Sequence, residues 1–235
     1  EMKNGTKIIN FKKRRIVCSL VLLGIFIVII TCTYYACKKP VALGKNHEYV
    51  NFLYETENKK YKLDEFSAIR KSYEDNLNIQ DVDYTWAEEL NYKNKPEMLI
   101  IHHTADSGIT PERMNEIHIE NGWAGIGYHF YIRTDGTIYR GRPENAVGAH
   151  AKRNNKNSIG IALEGNFEKD NPTEAQMKSL VKLSADMIIK YNLNDVLGHR
   201  DVYETLCPGE NLSIEDLKDR ISNELISIYK EKNNS

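Results

Sequence analysis

Hydrophobic residues recur along this chain in three patterns, and each pattern predicts a different kind of element. Ile16 to Ala36 form one unbroken run of 21 residues without a charge. A run of that length matches the ~20 apolar residues that carry a helix across ~30 Å of hydrocarbon. Shorter continuous runs, Met98 to Ile101 and Val196 to Gly198, read as buried strands that deliver His102 and His199 at their ends. Ser158 to Glu164 reads as another strand, with Ile159, Ile161 and Leu163 facing one way. Alternation over Tyr128–Arg133 and Thr137–Arg140, joined by Asp135-Gly136, predicts a β-hairpin.

Spacings of three and four predict the helices. One follows Thr110 as N-cap, with Pro111 in its first position. A second opens on a capping box of Thr173 and Gln176 and carries Met177, Leu180, Val181, Ser184, Met187 and Ile188 on one face. A last helix starts at Ser213 and buries Leu217, Ile221, Leu225 and Ile228. Strands and helices interleave, so the expected fold class is α/β: a central mixed β-sheet flanked by helices, preceded by one N-terminal transmembrane helix.

Charge sharpens the reading of the first 36 residues. Lys3, Lys7, Lys12, Lys13, Arg14 and Arg15 stand before the apolar run with one acid, Glu1, while Lys38, Lys39 and Lys45 follow it. That bias predicts a cytoplasmic N-terminus and an extracytoplasmic remainder in a single-pass membrane protein. Tyr34 and Tyr35 suit the membrane interface and are too bulky for a signal-peptide cut at Cys37, so an uncleaved signal anchor into the lipid bilayer is expected. Lipidation of Cys32 or Cys37 is a second reading, although the triplet before each departs from a lipidation box at one position. The expected organisation is a basic tail over 1–15, an anchor over 16–36, a stalk with a helical segment (Leu63 to Leu77) over 37–82, and a globular domain over 83–235. Part of the stalk around Trp86 has a second reading, as a segment packed on the domain. The overall net charge of -1 argues against a strongly anionic partner. The only basic cluster is explained by membrane orientation, so no nucleic-acid partner is expected.

Cys18, Cys32 and Cys37 lie in or beside the anchor and Cys207 stands alone in the rest of the chain, so no disulfide can form within the domain and the thiol wants another purpose. A catalytic Zn²⁺ takes three protein ligands, sometimes mixing imidazole and thiolate, and keeps a fourth position open. His102 and His199 at strand ends, with Cys207 on a loop folding back before Pro208-Gly209, make such a tripod. Spacing alone leaves a second reading open, in which the three are ordinary core residues.

The segments IIHHTA, NGWAGIGYHFYIRTDGTIYRGR, VGAHAKRNNKNSIGIALEGNF and LGHRDVYETLCPG span roughly half the chain, from about Glu97 to Gly209. In that order they resemble the zinc-dependent N-acetylmuramoyl-L-alanine amidase family that includes phage lysozymes and the animal peptidoglycan recognition proteins. The resemblance implies that His102, His199 and Cys207 bind Zn²⁺ and that Tyr128 is catalytic. Thr205 falls where the phage enzymes carry a catalytic lysine and the animal enzymes a threonine. It also implies peptidoglycan as the substrate partner, with Tyr139 and His150 lining its groove; Thr104 and Arg142 are expected to bind it too, Arg142 through a peptide carboxylate, with a solvated surface arginine as the second reading of Arg142. Some relatives use a glutamate as general base two residues before Glu164, where this chain has Ala162, so Tyr128 is the expected proton donor.

Zinc chemistry at such a site hydrolyses an amide: activated water attacks the carbonyl, and nearby donors stabilise the oxyanion and protonate the amine. His103 should point to the opposite face of its strand from His102 and serve packing. Two other classes stand beside the enzyme. One is a non-catalytic peptidoglycan-binding receptor, since relatives that only bind lose a zinc ligand, most often the cysteine. The other is a membrane-anchored scaffold built on a retired enzyme.

Overall fold

The computed structural model describes residues 70, 71 and 73–233, with side chains as far as Ile228. The basic tail, the apolar run of residues 16–36 and most of the stalk lie outside the described residues. Among the described residues no helix is long and apolar enough to cross a membrane.

A five-stranded sheet organises the domain. Its strands are β1 (Met98–His103), β2 (Phe130–Ile132), β3 (Ile138–Arg140), β4 (Ser158–Leu163) and β5 (Asp195–Gly198), in the order β3-β2-β4-β1-β5. The β1–β4, β1–β5 and β2–β4 pairs are parallel, and only the β2–β3 hairpin is antiparallel, so the sheet is mixed as expected. Central parallel strands are covered on both faces, which is why β1 and β4 read as continuous apolar runs and not as alternation. Every residue of β4 is buried. At the hairpin turn Gly136 takes φ 85°, a conformation that suits glycine, and its N–H donates to the Arg133 carbonyl at 2.8 Å.

Helices flank the sheet: α1 (Pro111–Glu120), α2 (Glu174–Tyr191), the single turn α3 (His199–Val202) and α4 (Ile214–Asn233). The predicted caps are present. Thr110 Oγ accepts from Arg113 N–H at 3.2 Å. The Thr173 hydroxyl accepts from Gln176 N–H at 3.1 Å, and Gln176 Oε1 accepts in return from Thr173 N–H at 3.0 Å. Leu217, Ile221, Leu225 and Ile228 are all buried, as the spacing predicts. The α2 and α4 helices pack on each other and against the face that carries Leu99, Ile101, Ile159 and Ile161. The other face holds His102, Ala162, Tyr131 and Tyr139 in one cross-strand row. There Met114 of α1 packs with Ile126, Tyr131 and Ala162.

The stalk reading changes at its C-terminal end. Residues 70, 71 and 73–75 are helical, and Tyr73 O–H donates to Glu224 Oε1 at 2.6 Å. Gln80 bridges to Tyr139 of the edge strand β3, and Ala87 N–H donates to the Ala124 carbonyl at 2.8 Å. The chain from Arg70 onward therefore lies against the domain instead of spacing it from anything.

That segment also buries a side of α2 that the amphipathic pattern leaves to solvent. Asp186 on this side has a fully buried carboxylate with no hydrogen-bond partner, its nearest cation being Arg70 Nη1 at 3.7 Å. Burial pushes the Asp186 carboxyl up to about 7, and Arg70 opposes the shift only in part. The folded-state value lies above the ordinary one, so folding takes up a proton and stability falls as pH rises from about 4 to about 7. Asp186→Asn is expected to raise unfolding stability at pH 8 by on the order of 2 kcal/mol, with the gain disappearing only near pH 4. Urea titrations of both proteins at the two pH values check this; an equal or reversed difference contradicts it.

Candidate metal centre

At the edge of the His102 face, three side chains from distant points in the chain meet. His102 comes from near the end of β1, His199 opens α3 directly after β5, and Cys207 lies on the loop beyond. One ligand atom from each lies within 4.8 Å of the others, with Cys207 Sγ 3.7 Å from His102 Nδ1. The His102 and His199 rings are 4.5 Å apart, centroid to centroid.

Local sequence explains the convergence. In the stretch His199-Arg200-Asp201, Asp201 Oδ2 accepts from Gly198 N–H at 2.7 Å and holds the strand-to-helix corner that aims His199. Arg200 ties the far end of the loop back. Its N–H donates to the Cys207 carbonyl at 2.8 Å, and its guanidinium donates to the carbonyls of Gly209 and Leu212. Gly209 takes φ 99°, and a Cβ there would meet the Phe167 backbone at 2.4 Å. Nothing but glycine lets the loop press this closely. The region between His199 and Cys207, predicted as loop, thus starts with a helical turn, and Thr205 Oγ accepts from Cys207 N–H at 3.2 Å.

The donor set fits a zinc ion. Zinc bonds of about 2.0–2.1 Å to nitrogen and about 2.3 Å to sulfur, at tetrahedral angles, set ligand atoms roughly 3.3–3.7 Å apart. The Cys207–His102 separation of 3.7 Å meets that spacing without rearrangement. Burial holds the His102 imidazole neutral, well below its usual range, with neighbouring His199 adding to the effect, and burial also lowers His199. Both rings therefore offer lone pairs. Burial pushes the Cys207 thiol up to about 11 against the opposing His103 N–H and Arg200. A thiolate in this place needs a cation, and metal uptake would release its proton.

Tyr128 stands beside the cluster, its ring centroid 5.2 Å from that of His102. Burial raises its phenol above the ordinary tyrosine value, with Cys207 contributing, so it keeps its proton. His103 points to the other face as expected, where its Nδ1 accepts from Phe167 N–H at 3.1 Å. His118 and His129 are both buried, and their Nδ1 atoms accept backbone N–H bonds from Gly127 and Gly160. Burial holds each of those imidazoles down to about 4. Glu164 is not free to act as a base. Burial alone would raise its pKa, but hydrogen bonds from Arg133, Thr134 and Gly108 outweigh that and lower it.

The expected substrate-binding residues are placed differently from one another. Arg142 is 6% exposed, and its three nitrogens donate to the carbonyls of Ile126, Val147 and Gly125. These bonds brace the loop before β2 and use three of the five guanidinium N–H groups. His150 is buried as well, its Nδ1 3.0 Å from His102 Nε2, behind the metal cluster. The Thr104 hydroxyl donates to the Asp106 carbonyl at 2.6 Å and accepts from Gly165 N–H, joining the ends of β1 and β4. Tyr139 stays half-exposed on the His102 face, three strands away, or about 14 Å at the usual strand spacing.

Sequence reasoning passed over three apolar side chains around the cluster. Trp123 is exposed beside His118, Tyr203 stacks on His199 at 5.7 Å, and Leu206 is 68% exposed next to Cys207. No local pattern separates an exposed aromatic from a core one; only the fold does. A cleft of about 420 Å³ bordered by Tyr84, Trp86 and Arg140 contains none of the three ligand residues, so chemistry and not concavity locates the site.

Comparison with known proteins agrees with this geometry. Residues 92–210 match the family model described as N-acetylmuramoyl-L-alanine amidase. An endolysin of Enterobacteria phage T3 is 38% identical over 124 residues, covering 49% of this chain and 82% of that protein. Peptidoglycan-recognition protein SC2 of Drosophila melanogaster is 36% identical over 125 residues, covering 48% of this chain and 68% of that protein. Among solved structures, the endolysin N-acetylmuramoyl-L-alanine amidase LysCS from Clostridium intestinale superposes with a TM-score of 0.60 at 52% identity, covering 61% of this chain and 94% of its own.

Proposed function

Because the chain belongs to the N-acetylmuramoyl-L-alanine amidase family, we propose that it is a zinc-dependent peptidoglycan hydrolase that cuts the amide between N-acetylmuramic acid and L-alanine. The observation that carries this reading is the convergence of His102, His199 and Cys207 with Tyr128 at their side. Those three residues would hold a zinc ion, which when bound would supply an activated water at neutral pH and polarise the scissile carbonyl. The rest of the work falls to the chain itself. Tyr128, kept protonated by burial, donates a hydrogen bond to the oxyanion, and the proton it passes to the departing amine is replaced by one from the attacking water. The Thr205 hydroxyl, two residues from Cys207 and already bonded to its N–H, adds a second donor. Exposed Trp123, Tyr203 and Leu206 offer apolar surface to a muramyl peptide. The apolar run of residues 16–36 and the basic residues before it support an anchored form with the domain outside the membrane, where cell wall lies.

The similarity to peptidoglycan-recognition protein SC2 keeps a receptor as the second reading. Mass spectrometry of muropeptides after incubation of purified peptidoglycan with the full chain separates the two. The expected products are stem peptides with a free L-alanine amine and glycans whose N-acetylmuramic acid carries a free lactyl carboxylate. Wall binding without those products establishes the receptor.

A further inference from the structure

Behind the metal cluster, buried polar groups form a chain whose direction follows from where each proton is committed. Ser158 Oγ lies 2.6 Å from the Asn154 carbonyl and donates its proton there. Its lone pairs then face His150 Nε2 at 3.4 Å, so that nitrogen carries the hydrogen. His150 Nδ1 is left as an acceptor, and the atom 3.0 Å from it, His102 Nε2, must donate. The opposite direction would set two lone pairs against each other at Ser158 and leave buried groups unsatisfied. His129 does not intervene, because its Nδ1 accepts from Gly160 N–H and its Nε2 lies 3.1 Å from the Ala146 carbonyl.

The surroundings are shaped to hold the His150 ring. A Cβ at Gly160 would stand 2.5 Å from His150 Cγ, and one at Gly148 would stand 2.5 Å from His150 Cδ2. Asn155 Oδ1 accepts from both His150 N–H and Ala151 N–H, at 2.9 and 2.8 Å. Two glycines, an asparagine and a serine thus serve one buried imidazole.

We propose that His150 is a positioning residue for the metal centre. By accepting from His102 Nε2–H it selects one tautomer of His102 and reserves Nδ1, the nitrogen that faces Cys207, for the ion. Hydrogen-bond partners of metal-binding histidines fix ring orientation and tautomer, and their loss typically weakens metal affinity by 10–100-fold. The inference rests on the zinc reading above.

The test combines zinc affinity by chelator competition with the histidine tautomer by long-range ¹H–¹⁵N NMR of the metal-free full chain. His150→Ala is expected to weaken zinc binding by about 10–100-fold. His150→Asn, whose Oδ1 stands where the accepting nitrogen was, is expected to stay within about threefold of wild type. In wild type, His102 is expected to show the neutral Nε2–H form. An affinity of His150→Ala within twofold of wild type overturns the inference, as does a His102 proton on Nδ1. Should His150→Ala not fold, the Asn variant and the wild-type spectrum still decide. A wild-type chain that takes up no zinc overturns the metal reading and this inference with it. Zinc uptake that is indifferent to His150 overturns this inference alone.

Discussion

Cys207→Ser is expected to abolish both stoichiometric zinc and amide cleavage while leaving the fold intact. Serine is close in shape to cysteine, and Cys207 is half-exposed, so little packing is lost. What disappears is the thiolate, the one anionic member of a set whose other two members are neutral imidazoles. An alcohol is a far poorer zinc ligand than a thiolate at neutral pH. Cleavage should fall by at least about 10³-fold, on the order of 4 kcal/mol of transition-state stabilisation. Zinc content by elemental analysis, muropeptide release and circular dichroism on the same preparation make the measurement. Chelation should reproduce the defect in wild type, and added zinc should repair wild type but not the variant. A Cys207→Ser protein with one zinc per chain and full activity would sink the assignment of the centre.

The second large effect separates binding the ion from using it. Tyr128→Phe keeps the ring that packs beside His102 and on the cluster of Met114, Ile126, Tyr131 and Ala162, and removes only the hydroxyl. Zinc should remain at one per chain. The rate should fall because a preorganised donor to the oxyanion is gone, a loss of about 10²–10³-fold in kcat, or roughly 2.7–4 kcal/mol. KM should change little, since the hydrogen bond forms as charge develops on the carbonyl oxygen. A turnover within twofold of wild type would move the proton-donating role away from Tyr128. The candidate left would be Thr205, because Glu164 is occupied by Arg133, Thr134 and Gly108.

Much of this was readable without coordinates, for identifiable reasons. The capping box at Thr173 and Gln176, the Asp135-Gly136 turn and the continuous apolar runs of β1 and β4 are local signals, each settled within a few residues. The choice of His102, His199 and Cys207 came from residue types at strand ends and a lone thiol, strengthened by family resemblance. Arg142 and His150 show what local motifs leave out. Both belong to well-marked motifs, yet one spends its guanidinium on three carbonyls and the other stands behind a ligand. The helix ending at residue 75 shows another limit. Its polar surface resembles a stalk, and only the approach of Arg70 to Asp186 reveals a docked segment.

By itself the sequence determined the elements, their order, the mixed sheet and the three side chains that meet at its edge. The elements and their order follow from period, caps and turn chemistry, which act over a few neighbouring residues, and the three side chains from residue type, strand ends and family resemblance. Tertiary structure alone decided which nitrogen of His102 faces Cys207, which glycines make room for His150, and which exposed rings border the cluster. The first depends on atoms 105 residues apart in the chain, and the others on how the closed chain sets side chains against one another. No pattern within a single segment carries that information, because a hydrogen bond is spent or free only once the whole chain has closed around it.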